Sequence, residues 1–306
     1  MMTMTSALEV ESKAAVAELA RLVARAVQPN SMFMISPSVW LSNSANPTAP
    51  SHAIYHPVLC VVAQGKKQVW LGDASFVYDV DHFLMASVTL PASGQVIEAS
   101  PERPYLGITI ELEPQLIESV IAEAGLSRPV SSGTQCGMES IPMDGLLRES
   151  ILRLARLFDE PQHSPFLKQL ALREIVYRLL TGPQGGRLHQ IAAQGGQTHR
   201  AVRAIEWLRS NYDKPLSIER LARECGMSVS ALHHHFKGIT AMSPLQFQKQ
   251  LRLQEAKRLM VGEGLDAANA GYRVGYDDAS YFSREYRRFF GDPPRRHVQR
   301  LSQSAS

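Results

Sequence analysis

The chain has 306 residues, 44% of them apolar, with 32 Lys and Arg against 29 Asp and Glu. That length exceeds one ordinary domain and that apolar share can bury real cores, so two domains are expected. No apolar run approaches the roughly 20 residues that cross a bilayer, and Glu9 and Glu11 stand where a secretory signal carries basic residues, which argues against a membrane-spanning or exported chain and for a cytoplasmic one.

Residues 1–30 read as an N-terminal amphipathic helix, its apolar positions interrupted by charge every few residues. From His52 to about Glu113, short apolar runs (VLCVVA at 58–63, VWL at 69–71, FVY at 76–78, LGITIEL at 106–112) alternate with Gly, Pro and Asp turns. This is the texture of a small β-barrel or sandwich, placed at residues 31–140. Over 141–181 two helical stripes follow, Leu146, Leu147, Ile151, Leu154, Leu157 and Phe158, then Phe166, Leu167, Leu170, Ile175, Val176 and Leu179, separated by the breaker EPQHSP. They predict an antiparallel helix pair that either covers the barrel or reserves part of a stripe for a second copy of the chain.

Three cysteines without a CxxC pair argue against a disulfide framework and a four-ligand zinc site. Cys60 lies in an apolar strand, which makes it a buried small hydrophobe or, in the sharper reading, a thiol sensing an electrophilic or oxidising signal, with Lys66 and Lys67 across a hairpin lowering its pKa. Cys225 reads as structural and Cys136 has no assigned role. His52, His56 and His82 lack the HxH and carboxylate grouping that a β-barrel metal site needs, so no metal, cofactor or catalytic residue is assigned.

Six glycines and prolines between Thr181 and Thr198 remove helix propensity and predict an interdomain linker over 182–197. Beyond it the charge changes sign: residues 196–306 hold 18 Lys and Arg and 11 Asp and Glu, leaving 14 and 18 upstream. A polyanion would bind the basic part.

Residues 198–301 read as an all-helical domain with two helix-turn-helix units. In SIERLARECGMSVSALHHHFKGIT (217–240), Ala222 is small where two helices meet, Gly226 supplies the turn and Ser228 caps the second helix. Leu232, Phe236 and Ile239 form a core stripe, and Ser230, His233, His234 and Lys237 an outward polar one. The plan recurs about 50 residues on, with Gly275 for Gly226, one extra turn residue, a core stripe of Phe282, Tyr286 and Phe289, and an outward stripe of Ser280, Ser283, Arg284 and Arg287. Between the units, SPLQFQKQLRLQEAKRLM opens with Ser-Pro and predicts a rigid helix roughly 27 Å long, suited to holding two heads in successive major grooves roughly 34 Å apart. The three consecutive histidines point about 100° apart and do not make a helical metal site.

Through LARECGMSVSALHHHFK, SPLQFQKQLRLQEAKRLM and VGYDDASYFSREYRRFFGDPP, the C-terminal region resembles the AraC/XylS family of transcriptional regulators. YHPVLCVVAQGKKQVWLGD resembles the AraC-type regulator N-terminal domain of one branch of that family, which is cupin-like and takes diverse effectors. The resemblance implies base reading by Ser230, His233, His234, Ser280, Ser283 and Arg284, phosphate contact by Lys237 and Arg287, and promoter DNA, RNA polymerase and a small-molecule effector as partners. Arg284 can bond guanine O6 and N7 bidentately; His233 and His234 depart from members carrying Arg or Gln there. The fold expected is a two-domain α+β protein, a cupin-like β-barrel with a helical pair followed by the tandem helix-turn-helix domain. Two other readings stay open: a cupin-type enzyme fused to a DNA-binding tail, and a non-specific nucleic-acid binder.

Overall fold

Leu19, Leu22 and Val23 recur at helical spacing in the opening segment, and Met4–Ala26 forms a helix (α1) that buries all three. The computed structural model describes residues 4–127, 136–158, 165–192 and 196–303, and the breaker at 160–164 lies outside them. The chain divides into two units, Met1–Ser51 with Tyr55–Gln194, and His52–Ile54 with Gly195–Ser306.

After α1 come strands β1 (Met32–Ser36), β2 (Val39–Ser44), β3 (Ser51–Tyr55), β4 (Val58–Gln64), β5 (Lys66–Leu71), β6 (Ala74–Tyr78), β7 (His82–Ala86), β8 (Leu90–Glu98) and β9 (Tyr105–Glu111), then helix α2 (Pro114–Glu123) and strand β10 (Met138–Pro142). They form a six-stranded sheet in the order β1-β2-β9-β4-β7-β10 and a four-stranded sheet in the order β3-β8-β5-β6. Helices α3 (Gly145–Arg156), α4 (Pro165–Thr181) and α5 (Gly185–Ala192) follow.

Side chains alternate across a strand, so β4 divides its apolar run between two layers. Leu59, Val61 and Ala63 join Ile108 and Ile110 of β9, Leu22 and Val23 of α1, Ile151 and Leu154 of α3, and Ile175 and Leu179 of α4 in one core. Each of these Val, Leu and Ile side chains contributes about 1.5–3 kcal/mol when fully buried. Cys60 and Val62 point the other way, toward the four-stranded sheet, where Cys60 lies beside Lys67 and Tyr78.

Strands β1 and β2 precede the apolar runs that begin at His52, and the β region also contains a helix, α2, whose ten residues are too short a period to stand out in the sequence. No hairpin joins Cys60 to the lysines: β4 and β5 belong to different sheets, with Gly65 at the corner between them. Only part of the helix-pair stripes is core. Leu147, Ile151, Leu154, Ile175, Val176 and Leu179 are buried, while Leu146, Phe166, Leu167 and Leu170 are exposed.

The segment read as a linker over 182–197 includes α5, whose Leu188 is fully buried in the N-terminal core. Gly185 has a different purpose from flexibility. A side chain at Gly185 would overlap the carbonyl of Leu180, so glycine lets α5 fold back closely on the end of α4.

From residue 196 on, the second unit is built of helices: α6 (Gly196–Ser210), α7 (Ile218–Glu224), α8 (Val229–Thr240), α9 (Pro244–Gly262), α10 (Ala267–Arg273), α11 (Ala279–Phe290) and α12 (Pro294–Gln303). The connecting helix α9 starts as its Ser-Pro opening predicts, with Pro244 in the first turn and a capping box between Ser243 and Gln246.

Candidate functional sites

Each helix-turn-helix starts from local capping. Ser217 accepts from the Arg220 N–H at 3.2 Å to begin α7, and Ser228 accepts from the Ala231 N–H at 3.2 Å to begin α8. Asp266 and Asp278 do the same for α10 and α11. The turns run through Gly226 at φ 66° and Gly275 at φ 91°, in the left-handed region that favours glycine. Arg200 donates to the Gly226 carbonyl at 2.9 Å and fixes the first turn.

With the turns set, the second helix of each unit shows the two faces its periodicity requires. Leu232, Phe236 and Ile239 of α8 are buried, as are Phe282 and Tyr286 of α11, with Phe289 half-buried. Phe236 meets Phe247 of α9 edge-on at 5.3 Å, and Tyr286 shares a 3.0 Å hydrogen bond with His297 of α12. On the opposite faces Ser230, His233, His234 and Lys237, and Ser280, Arg284 and Arg287, are exposed, and Ser283 is half-buried. His235 is half-buried beside the core stripe, apart from its two neighbours.

The residue that ties the two helix-turn-helix motifs together has no local signal in the sequence. Arg252 of α9 donates from Nε to the Tyr212 carbonyl at 2.6 Å, from Nη1 to the Gly275 carbonyl at 2.7 Å, and from Nη2 to the Lys214 carbonyl at 3.0 Å. Its guanidinium also lies 5.7 Å from the Tyr276 ring centroid. One planar cation thereby joins the loop ahead of the first helix-turn-helix to the turn of the second. Buried Gln248 reinforces it, donating to the carbonyls of Tyr212 at 3.0 Å and Lys214 at 2.7 Å.

In the N-terminal unit, polar side chains gather where the two sheets face each other. Cys60 of β4, Tyr105 and Thr109 of β9 and Ser42 of β2 face Lys67 of β5, Tyr78 of β6 and Tyr55 of β3. Thr109 donates to the Cys60 sulfur at 4.0 Å. Burial pushes the Cys60 thiol up, and the nearby Lys67 offsets this only in part, so the thiol stays protonated at neutral pH. That is the environment of a wall residue, against the activated thiol that a lysine-flanked hairpin would make. Lys66 is on the other face, 3.5 Å from Asp79 and 3.9 Å from Glu98. Among the described residues no group of three His, Cys, Asp or Glu is placed to hold a metal ion, and no helix is long and apolar enough to cross a membrane.

A family model described as the AraC-type transcriptional regulator N-terminus matches residues 36–187, and one for a helix-turn-helix domain matches residues 221–300. The transcriptional activator RhaS of Yersinia pestis (strain Pestoides F) is 26% identical over 154 residues, 50% of this chain and 56% of that protein. The MmsAB operon regulatory protein of Pseudomonas aeruginosa is 33% identical over 97 residues, 32% of each chain. The chain thus spans about half the length, or less, of these curated relatives. In fold it is similar to ToxT from Vibrio cholerae, at TM-score 0.58 and 10% identity over 85% of this chain and 98% of that one. With an AraC-type N-terminal half followed by two helix-turn-helix units on one connecting helix, the chain belongs to the AraC/XylS family of transcriptional regulators.

Proposed function

We propose that this protein is a cytoplasmic, sequence-specific regulator that reads promoter DNA with α8 and α11 and responds to a small molecule held in its N-terminal unit. The observation that carries the reading is the pair of exposed polar faces, each repeated 50 positions later and each backed by its own buried stripe. Such matched faces favour a regulator over an enzyme and over a binder that uses basic charge alone. Ser230, His233 and His234 serve as base readers on the first head, and Ser280, Ser283 and Arg284 on the second; Lys237 and Arg287 contact phosphate.

The activator name of the RhaS relative supports activation, with RNA polymerase as the further partner. Exposed Phe166, Leu167 and Leu170 on α4 support self-association of the N-terminal unit as a dimer. One solved ToxT structure is described as bound to an unsaturated fatty acid, which supports an effector in the sandwich here. Cys60 contributes to sensing as part of the wall of that interior. The effector acts by favouring one DNA-binding state, which requires different affinities for the two states.

Selection from randomised duplexes tests the reading. The wild-type chain is expected to enrich two short elements about one helical turn apart. Arg284→Ala should relax one position of one element, at a cost of about 1–3 kcal/mol, while Lys237→Ala should weaken all sequences alike. Enrichment of no sequence would refute the proposal.

A further inference from the structure

Lys67 is the group in the N-terminal unit with the least satisfactory surroundings. Burial lowers its pKa, and among the described residues no carboxylate pairs with it. Its stem and the Tyr55 hydroxyl converge over Gly94: a β-carbon there would stand 3.3 Å from Lys67 Cε and 2.8 Å from Tyr55 Oη. Across the interior, a β-carbon at Gly107 would stand 2.5 Å from Tyr105 Oη and 2.7 Å from Ser42 Oγ. Tyr78, 1% exposed, places its hydroxyl beside Cys60 and Tyr105 in the same cluster.

An ammonium partly withdrawn from water without a counter-charge costs stability unless something completes it. Among the described residues the cluster contains a cation and several hydroxyl donors but no Asp, Glu or His, so what it calls for is an anionic acceptor. Val69, Leu71 and Val96, on the Lys67 face of their strands, supply apolar walls. Lys67 and Tyr55 remain half-buried while Cys60, Tyr78 and Tyr105 are closed off, which makes the lysine the entry side.

We infer that the effector is an organic acid whose carboxylate seats on Lys67 and the Tyr55 and Tyr78 hydroxyls, with its apolar part between the sheets. The inference rests on the N-terminal unit being an effector domain, and it is tested without DNA, so a failed duplex selection and a failed acid titration are separate results.

The full chain is titrated with formate, benzoate, octanoate and octan-1-ol by calorimetry and thermal unfolding. At least one acid should bind and raise Tm, and octan-1-ol should bind more weakly than octanoate. Lys67→Met should weaken the acid roughly tenfold or more while raising Tm of the ligand-free protein, because the uncompensated charge is gone. Lys66→Met, on the other face, should bind as wild type does. Tyr55→Phe, which keeps the ring, should weaken the acid severalfold and serves if Lys67→Met fails to fold. Binding by none of the acids, equal binding of octan-1-ol, or wild-type affinity in both Lys67→Met and Tyr55→Phe would overturn the inference.

Discussion

Alanine at position 275 is expected to destabilise the C-terminal unit by about 3 kcal/mol or more, against about 1 kcal/mol for alanine at 226. Both glycines have positive φ, so both substitutions carry the left-handed backbone cost. The surroundings differ. A β-carbon at Gly226 meets nothing within 4 Å, whereas one at Gly275 overlaps the Asp213 carbonyl oxygen and stands 2.8 Å from Arg252 Nη2. The first turn needs glycine for its conformation alone; the second needs it also because another backbone segment packs against it. Urea unfolding of the two variants measures the contrast, and equal midpoints would show that the approach of Asp213 is not required for stability.

Replacing Arg252 by methionine is expected to cost about 3 kcal/mol, because the half-buried Tyr212 and Gly275 carbonyls and the exposed Lys214 carbonyl lose a charged donor together. Lysine should rescue little, since one ammonium cannot reproduce the fork that spans Tyr212, Lys214 and Gly275. A second effect follows from the position of the residue between the heads. Where the variant still folds, affinity for a duplex carrying both elements should fall further than affinity for a duplex carrying one, because the heads are no longer held at a fixed spacing. Thermal unfolding and paired anisotropy titrations separate the two effects.

The reading helices were legible because each is decided within a dozen residues: Phe236 and Lys237 are adjacent, yet helical geometry sends one inward and the other out. Arg252 was not, because its partners lie some 40 residues before it and 23 after it in the chain, and nothing local distinguishes it from the other cations of α9. The first half of the linker segment forms α5 for a related reason: Gly185 suggests flexibility in the sequence, yet its use is close approach to Leu180. Lys67 did carry a signal. In KKQVWL it shares parity with Val69 and Leu71, which places it on the buried face and Lys66 on the other. A polar residue in a strand reads as solvent-facing until the second sheet closes over it.

Hydroxyl-radical footprinting on the duplex recovered by selection tests the central claim most directly, with random duplex as competitor and salt raised stepwise. Protection of two neighbouring stretches on one face of the duplex is expected, with the stretch under α11 lost in Arg284→Ala and the other retained. Protection of a single stretch, or of every sequence alike and abolished by modest salt, would contradict a two-headed reader of specific DNA.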